Sequence, residues 1–178
     1  MKKYGFAALL VAIVAVMIGL FAIANNNTAS KTPGAVPLGV KHPELGRQHI
    51  PVGQAHDPYN SNTPSSGPHY ASPIAWGVKT SEVADETLIH NAEHGGIIIS
   101  YKPDLPAAQV DNLKQIAENL PQSTQFNEVK VVMAPRAKND APIQLMAWTY
   151  TLSLQTVDSN TIQQFYADHL DKGPELVP

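Results

Sequence analysis

The sequence contains no cysteine. This absence excludes disulfide bonds, thiolate metal ligands, a catalytic thiol and a lipid-modified cysteine anchor. Charged residues are also sparse, at 15% of the chain, and the formal net charge is −3. Because a nucleic-acid-binding protein needs a basic surface, we expect no nucleic-acid partner.

Long apolar runs are scarce as well, and the one that is present covers residues 4–24, directly after Lys2 and Lys3. It is long enough to cross a bilayer as a helix, and the two lysines favour a cytoplasmic N-terminus. The alternative is a secretory signal peptide cleaved after Ala24, although the apolar core is long for one. We therefore favour a signal-anchor, a single transmembrane helix within residues 1–24.

Everything after that helix is expected to lie outside the cytoplasm. The protein is then a single-pass cell-membrane protein held through residues 4–24, or a secreted or periplasmic protein if cleavage occurs near Ala24. Residues 25–40 are rich in Asn, Thr, Ser, Gly and Pro, a composition typical of a flexible linker. Residues 41–178 then form one extracytoplasmic histidine-rich domain of ordinary size.

Within that domain, residues 41–73 have many Pro, Gly, Asn and Ser residues and no apolar periodicity, which predicts a long irregular loop. Segments rich in β-branched and aromatic residues predict three strands, at residues 96–101, 128–133 and 144–152. Apolar residues at helical spacing predict two helices, at residues 105–120 and 159–170. The expected fold class is α+β: a small, mostly antiparallel sheet with two packed helices and a long Pro/Gly-rich histidine-bearing loop, preceded by the N-terminal transmembrane helix.

The chain is rich in histidine, with seven residues that are unevenly placed. Six of them precede the first predicted strand and the seventh lies far downstream: His42, His49, His56, His69, His90, His94 and His169. Histidine is the commonest protein metal ligand, so clustered histidines indicate a metal site.

Two of the histidines, His90 and His94, have the most specific spacing. If residues 85–94 form a short helix, the two rings lie one turn apart on the same face and can bind one ion. Gly95 and Gly96 follow at once, as expected after a helix end. The alternative is that His94 only caps that end.

His69 ends a segment, residues 58–69, in which Pro, Gly, Ser, Asn and Thr favour a loop of fixed shape. A side chain held by such a loop loses little entropy on binding, which suits a ligand. The same residues also suit a purely structural turn.

Several motifs occur in a fixed order along the chain: residues 46–49 (Gly-Arg-Gln-His), 59–62 (Tyr-Asn-Ser-Asn), 66–70 (Ser-Gly-Pro-His-Tyr), 90–95 (His-Asn-Ala-Glu-His-Gly) and 173–175 (Gly-Pro-Glu). In order and spacing they resemble the DUF3105 family, membrane-anchored or secreted bacterial and archaeal proteins of undefined function. Departures from the family pattern occur at residues 63–69, at Ala92 and at residues 146–149, and none of them removes a histidine. The resemblance implies no activity.

Four histidines lie in the motifs that carry this resemblance, which implies that they are the shared ones: His49, His69, His90 and His94. The leading hypothesis is a metal-binding domain in which these four are the ligands. Imidazoles without thiolates suit Cu(II) or Zn(II), and we favour copper over zinc for an outer-face protein of this kind, in handling, storage or delivery. Met133 and Met146, at the ends of predicted strands, are candidate ligands for Cu(I), although a strand methionine is more often core.

Two other functions compete with metal handling. His90, Glu93 and His94 match the H-x-x-E-H pattern of inverted zinc peptidases, in which the glutamate activates a metal-bound water, so Glu93 is the catalytic candidate of a zinc-dependent hydrolase. The glycines directly after His94 count against it, and we expect no enzyme. The last alternative is a non-metal binding module for a protein partner at the cell envelope, with His69, Tyr70 and Trp76 in a recognition loop.

Overall fold

A six-stranded sheet organises the part of the chain that the computed structural model describes, residues 36–178. The body that contains it runs from Pro37 to Pro178. The strands are β1 Val40–Lys41, β2 His49–Ile50, β3 His69–Tyr70, β4 Gly77–Val78, β5 Ile97–Tyr101, β6 Val131–Pro135, β7 Ile143–Ala147 and β8 Tyr150–Leu154. The helices are α1 Asp85–Glu93, α2 Ala107–Glu118 and α3 Ser159–His169.

The expected transmembrane helix and most of the expected linker lie outside these described residues. Among residues 36–178, the structure has no helix of the length and apolar character that crossing a membrane requires. The sheet begins at Val40, the last residue assigned to the linker from the sequence.

Strand order in the large sheet is β1-β8-β7-β5-β6-β4. The pairs β1–β8, β8–β7 and β7–β5 are antiparallel, whereas β5–β6 and β6–β4 are parallel. The two remaining strands, β2 and β3, pair in parallel with each other outside this sheet. The expected α+β class with a mostly antiparallel sheet is therefore confirmed.

The central strand β5 separates two hydrophobic cores. Because successive side chains of a strand point to opposite faces, Ile97 and Ile99 pack in one core and Ile98 in the other. Helices α2 and α3 cover the first face, and α1 covers the second with Leu88 and Ile89. Each such fully buried aliphatic side chain contributes about 1.5–3 kcal/mol, so α1 is fixed on the sheet.

Both helices predicted from apolar spacing are present, and Asp158 caps α3 by accepting a hydrogen bond from the Thr161 backbone N–H at 3.1 Å. The prediction of a single strand at residues 144–152 is wrong in one respect, because the chain forms the two-stranded hairpin β7–β8 there. The chain turns at Thr149, which has φ +62° and donates its backbone N–H to the Ser65 carbonyl at 2.9 Å. A tertiary contact to the long loop thus stabilises a turn that local sequence does not favour.

The long loop between β1 and β4 is irregular apart from the short strands β2 and β3, as expected. It does not lie loosely on the surface, since residues 63–67 are buried. The Gln144 side chain donates to the Asn62 carbonyl at 2.8 Å, and the Tyr59 hydroxyl donates to the Pro68 carbonyl at 2.6 Å. The loop that ends in His69 therefore has a fixed shape.

Candidate metal centre

Strands β2 and β3 bring the first two histidines together. In their parallel pairing His49 is the register partner of His69, and the His69 backbone N–H donates to the Gln48 carbonyl at 2.9 Å. Because paired residues present their side chains on the same face, the two rings meet edge to face with centroids 4.8 Å apart. Residues 20 positions apart in sequence thus become neighbours.

The last turn of α1 supplies two more side chains, His90 and Glu93. They are three residues apart and therefore share one face of the helix. The His90 ring centroid lies 5.0 Å from that of His49 and 5.2 Å from that of His69. The apolar side of α1 holds this turn against the sheet, so these two side chains sit on a rigid element.

His49, His69, His90 and Glu93 each offer one ligand atom, and these four atoms all lie within 4.8 Å of one another. Glu93 Oε2 is 2.9 Å from His69 Nε2 and 3.6 Å from His49 Nε2. Two atoms each about 2.1 Å from a shared ion lie about 3.0 Å apart at a right angle and about 3.4 Å apart at the tetrahedral angle. The Glu93 distances therefore fit ligation of one ion.

A pair of ligand atoms at the 4.8 Å limit would have to close by about 1.4 Å to bind one ion tetrahedrally. The members of the group differ in their freedom to move. The side chain of His49 is 44% exposed, whereas His69 and Glu93 are 0% and 1% exposed. His49 is therefore the side chain with room to make the adjustment.

Hydrogen bonds fix the orientation of the two buried rings. Nδ1 of His69 donates to the Gly67 carbonyl at 2.8 Å, and Nδ1 of His90 donates to the Tyr70 carbonyl at 2.7 Å. A carbonyl oxygen only accepts, so the hydrogen of each neutral ring is on Nδ1 and the lone pair is on Nε2. A metal-binding histidine usually donates its other ring N–H to a carbonyl or carboxylate in this way, which fixes the orientation of the ring.

The contact between His69 and Glu93 needs a positive charge. With its Nδ1–H already used, a neutral His69 ring presents a lone pair to the Glu93 carboxylate only 2.9 Å away. Two acceptors at that distance in a buried site repel each other unless a proton or a cation lies between them. A shared proton would meet this need, and so would a metal ion, which could also engage His49 and His90.

His94, expected as the fourth ligand, is outside this group of four. Helix α1 ends at Glu93, and His94 is its C-terminal cap residue. Its ring centroid is still 4.6 Å from that of His90, and its Nε2 is 3.6 Å from Glu175 Oε2. Burial lowers the pKa of His90 and of His94, so both rings favour the neutral form that binds metals.

The C-terminal residues brace the end of α1. A Cβ on Gly173 would overlap the Glu93 carbonyl oxygen, to which the Glu175 backbone N–H donates at 3.0 Å. The fully buried Lys130 donates to the carbonyl oxygens of His94 and Val177, the latter at 2.8 Å. The Gly-Pro-Glu motif thus has a structural task, which is to pack the chain's last residues against the centre.

The other histidines have partners elsewhere. Nε2 of His42 contacts the Thr151 hydroxyl at 2.8 Å, and His169 donates from Nε2 to the Leu38 carbonyl at 2.8 Å. His56 contacts the Asp57 carbonyl and the Glu86 carboxylate, which raise its pKa against a smaller opposing effect of burial. None of the three belongs to the group of potential ligands found among residues 36–178.

The two methionines considered as Cu(I) ligands also lie outside the group of four, in the protein's interior. Met133 and Met146 are 0% and 1% exposed and belong to the two hydrophobic cores. Glu93 is the residue to which the sequence analysis gave a different role, that of the catalytic candidate of a hydrolase. Its signal was present in the His-x-x-Glu spacing, which puts a nitrogen and a carboxylate ligand on one helix face.

Comparison with known proteins gives one match. The model of the family described as "Protein of unknown function (DUF3105)" matches residues 50–177, well over half of the chain. That region contains His69, His90 and Glu93, and His49 immediately precedes it. No curated protein and no solved structure is significantly similar to the chain. Because the match covers well over half of the chain, the protein belongs to the DUF3105 family.

Proposed function

We propose that this protein binds a divalent transition-metal ion through His49, His69, His90 and Glu93. The observation that carries the proposal is the buried contact between the His69 and Glu93 side chains, at 2.9 Å, with two further imidazoles beside it. Four potential ligand atoms from β2, β3 and α1 lie within 4.8 Å of one another, and the Gly67 and Tyr70 carbonyls orient two of the rings.

For the ion itself we propose Cu(II) ahead of Zn(II). Nitrogen and oxygen ligands bind Cu(II) more tightly than Zn(II) in the Irving–Williams order. The absence of sulfur from the ligand group argues against Cu(I), since both candidate methionines are core residues. Three imidazoles and a carboxylate also suit zinc, so the two ions must be compared directly.

The role we propose is metal handling, storage or delivery outside the cytoplasm, rather than catalysis. In the hydrolase alternative Glu93 is a free base and His94 is a ligand, yet Glu93 is the carboxylate within the ligand group and His94 is outside it. The recognition-loop alternative needs an accessible His69, which is 0% exposed. The outer location rests on Lys2, Lys3 and the apolar run of residues 4–24.

Metal content tests the proposal. The full chain, produced without a histidine tag and dialysed against Cu(II) or Zn(II), should retain about one ion per molecule by elemental analysis. His69→Gln and His90→Gln should lose it, whereas the control His56→Gln should keep it. Retention of no metal by the wild-type chain, or full retention by both site variants, would reject the metal centre.

A further inference from the structure

A second pair of metal-binding side chains lies beside the centre, where the C-terminal residues pack. His94 Nε2 is 3.6 Å from Glu175 Oε2. Two atoms each about 2.1 Å from one ion have this separation when the angle at the ion is about 120°. The pair can therefore hold an ion together with water, although it supplies too few ligands to retain one tightly.

The pair also lies between the solvent and the centre, and the exposed fraction of the side chains decreases from Glu175 inward. The side chains of Glu175 and His94 are 45% and 11% exposed, and that of Glu93 is 1% exposed. The step from His94 to the centre is short, because its ring centroid is 4.6 Å from that of the ligand His90. An ion moving along these side chains would have a ligand at each stage.

A second observation on His94 is independent of this spacing. The residue is 9% exposed, and its Nδ1 has no hydrogen-bond partner within residues 36–178 at normal geometry, although the Pro178 backbone contacts the ring. A buried polar atom without a partner costs about 1–3 kcal/mol, so a native protein tends to keep one for a functional reason. Lys130 and the end of α1 fix the backbone at this position and so keep the ring in place.

We propose that His94 and Glu175 form an uptake pair that captures a divalent metal ion and passes it to the centre through His90. The proposal rests on the metal-binding function proposed above. The transfer is a ligand exchange: the ion keeps its charge, and each ligand of the centre replaces a water molecule or a member of the pair. No oxidant, reductant or proton donor is needed.

A competing path leads through His49, whose side chain is 44% exposed. The two paths make different kinetic predictions. Removing a group that acts only during transfer slows binding and release equally, because the same path is used in both directions. Removing a ligand of the bound ion speeds release and weakens affinity.

The test is stopped-flow measurement of Zn(II) binding and release by the full chain, with a chromogenic chelator as competitor. We expect His94→Gln and Glu175→Gln each to slow both rates about tenfold while the Kd changes less than about threefold. The double variant should be no slower than either single variant, because the two residues act in one step. The matched controls His56→Gln and Glu118→Gln replace residues outside the group of potential ligands and should behave as wild type.

Three results would overturn the uptake pair. Unchanged rates in both variants would assign uptake to His49. Faster release with weaker affinity in His94→Gln would make His94 a ligand of the bound ion. Absence of Zn(II) binding by the wild-type chain would reject the metal centre and the uptake pair together. The first result leaves the centre as proposed, and the second leaves a metal centre whose ligands include His94. Because Glu175 is on the surface, its variant remains informative if His94→Gln fails to fold.

Discussion

Replacing Glu93 by Gln removes a carboxylate from the proposed metal centre while keeping the size of the side chain. Glu93 is 1% exposed, and its Oε2 contacts His69 Nε2 at 2.9 Å and His49 Nε2 at 3.6 Å. An amide oxygen is a much weaker ligand than a carboxylate for a divalent transition metal. Loss of a group that only hydrogen-bonds to a ligand weakens metal affinity about 10–100-fold. We therefore expect loss of the Glu93 carboxylate itself to weaken metal affinity at least about 100-fold.

That loss has a calculable effect on thermal stability. A metal present at about 100 times its Kd stabilises the folded state by about 2.7 kcal/mol, and this falls to about 0.4 kcal/mol when the Kd rises 100-fold. The body over Pro37–Pro178 has an unfolding entropy of about 0.3 kcal/mol/K. Metal should therefore raise the Tm of the wild-type chain by about 9 °C and that of Glu93→Gln by about 1 °C.

Scanning fluorimetry with increasing Cu(II) or Zn(II) measures these shifts. Glu118→Gln is the matched control, since Glu118 is exposed and pairs with Lys114 on the surface of α2. It should show the full wild-type shift. If Glu93→Gln also keeps the full shift, the carboxylate is not a ligand and the geometric argument fails.

Three further outcomes follow from the same contacts. Burial lowers the pKa of His90 and of His94 in the folded state. As the pH falls from about 6.5, the unfolded chain therefore takes up protons before the folded chain does. The metal-free protein should lose stability until the pH passes the lower pKa values of the folded state. Thermal melts at decreasing pH measure this, and a constant Tm would contradict it. Gly173→Ala should destabilise by about 2 kcal/mol in urea, because the added Cβ overlaps the Glu93 carbonyl oxygen. Lys130→Met should lower the free energy of unfolding by about 3 kcal/mol in the same assay. The change leaves the His94 and Val177 carbonyls and Asp171 without the buried Lys130 ammonium. An unchanged free energy of unfolding would show that these contacts are unimportant for stability.

The fold was predictable where local pattern and packing agree. Strand β5 and helices α2 and α3 appear within a few residues of the positions that apolar spacing indicates. The hairpin β7–β8 was not predictable, because Trp148 and Thr149 favour a continuous strand. Their turn depends on a hydrogen bond from Thr149 to Ser65, a residue far away in the sequence.

The candidate site was predictable as a set of motifs but not as a ligand group. Only the pairing of β2 with β3 brings His49 next to His69, and no local pattern encodes that register. No local pattern distinguishes Glu93 from His94 either, since both follow His90 by about one helical turn. The His94 ring lies 4.6 Å from that of His90, but its Nε2 is directed toward Glu175, 3.6 Å away, and the group of four contains Glu93 instead.

X-ray absorption spectroscopy of the metal-loaded full chain tests the ligand set most directly. We predict scattering from about three imidazoles and one oxygen at about 2.0–2.2 Å. His90→Gln should remove one imidazole from the spectrum, and His94→Gln should leave it unchanged. Four imidazoles in the wild-type spectrum with one lost in His94→Gln, or no imidazole at all, would contradict a centre built from His49, His69, His90 and Glu93.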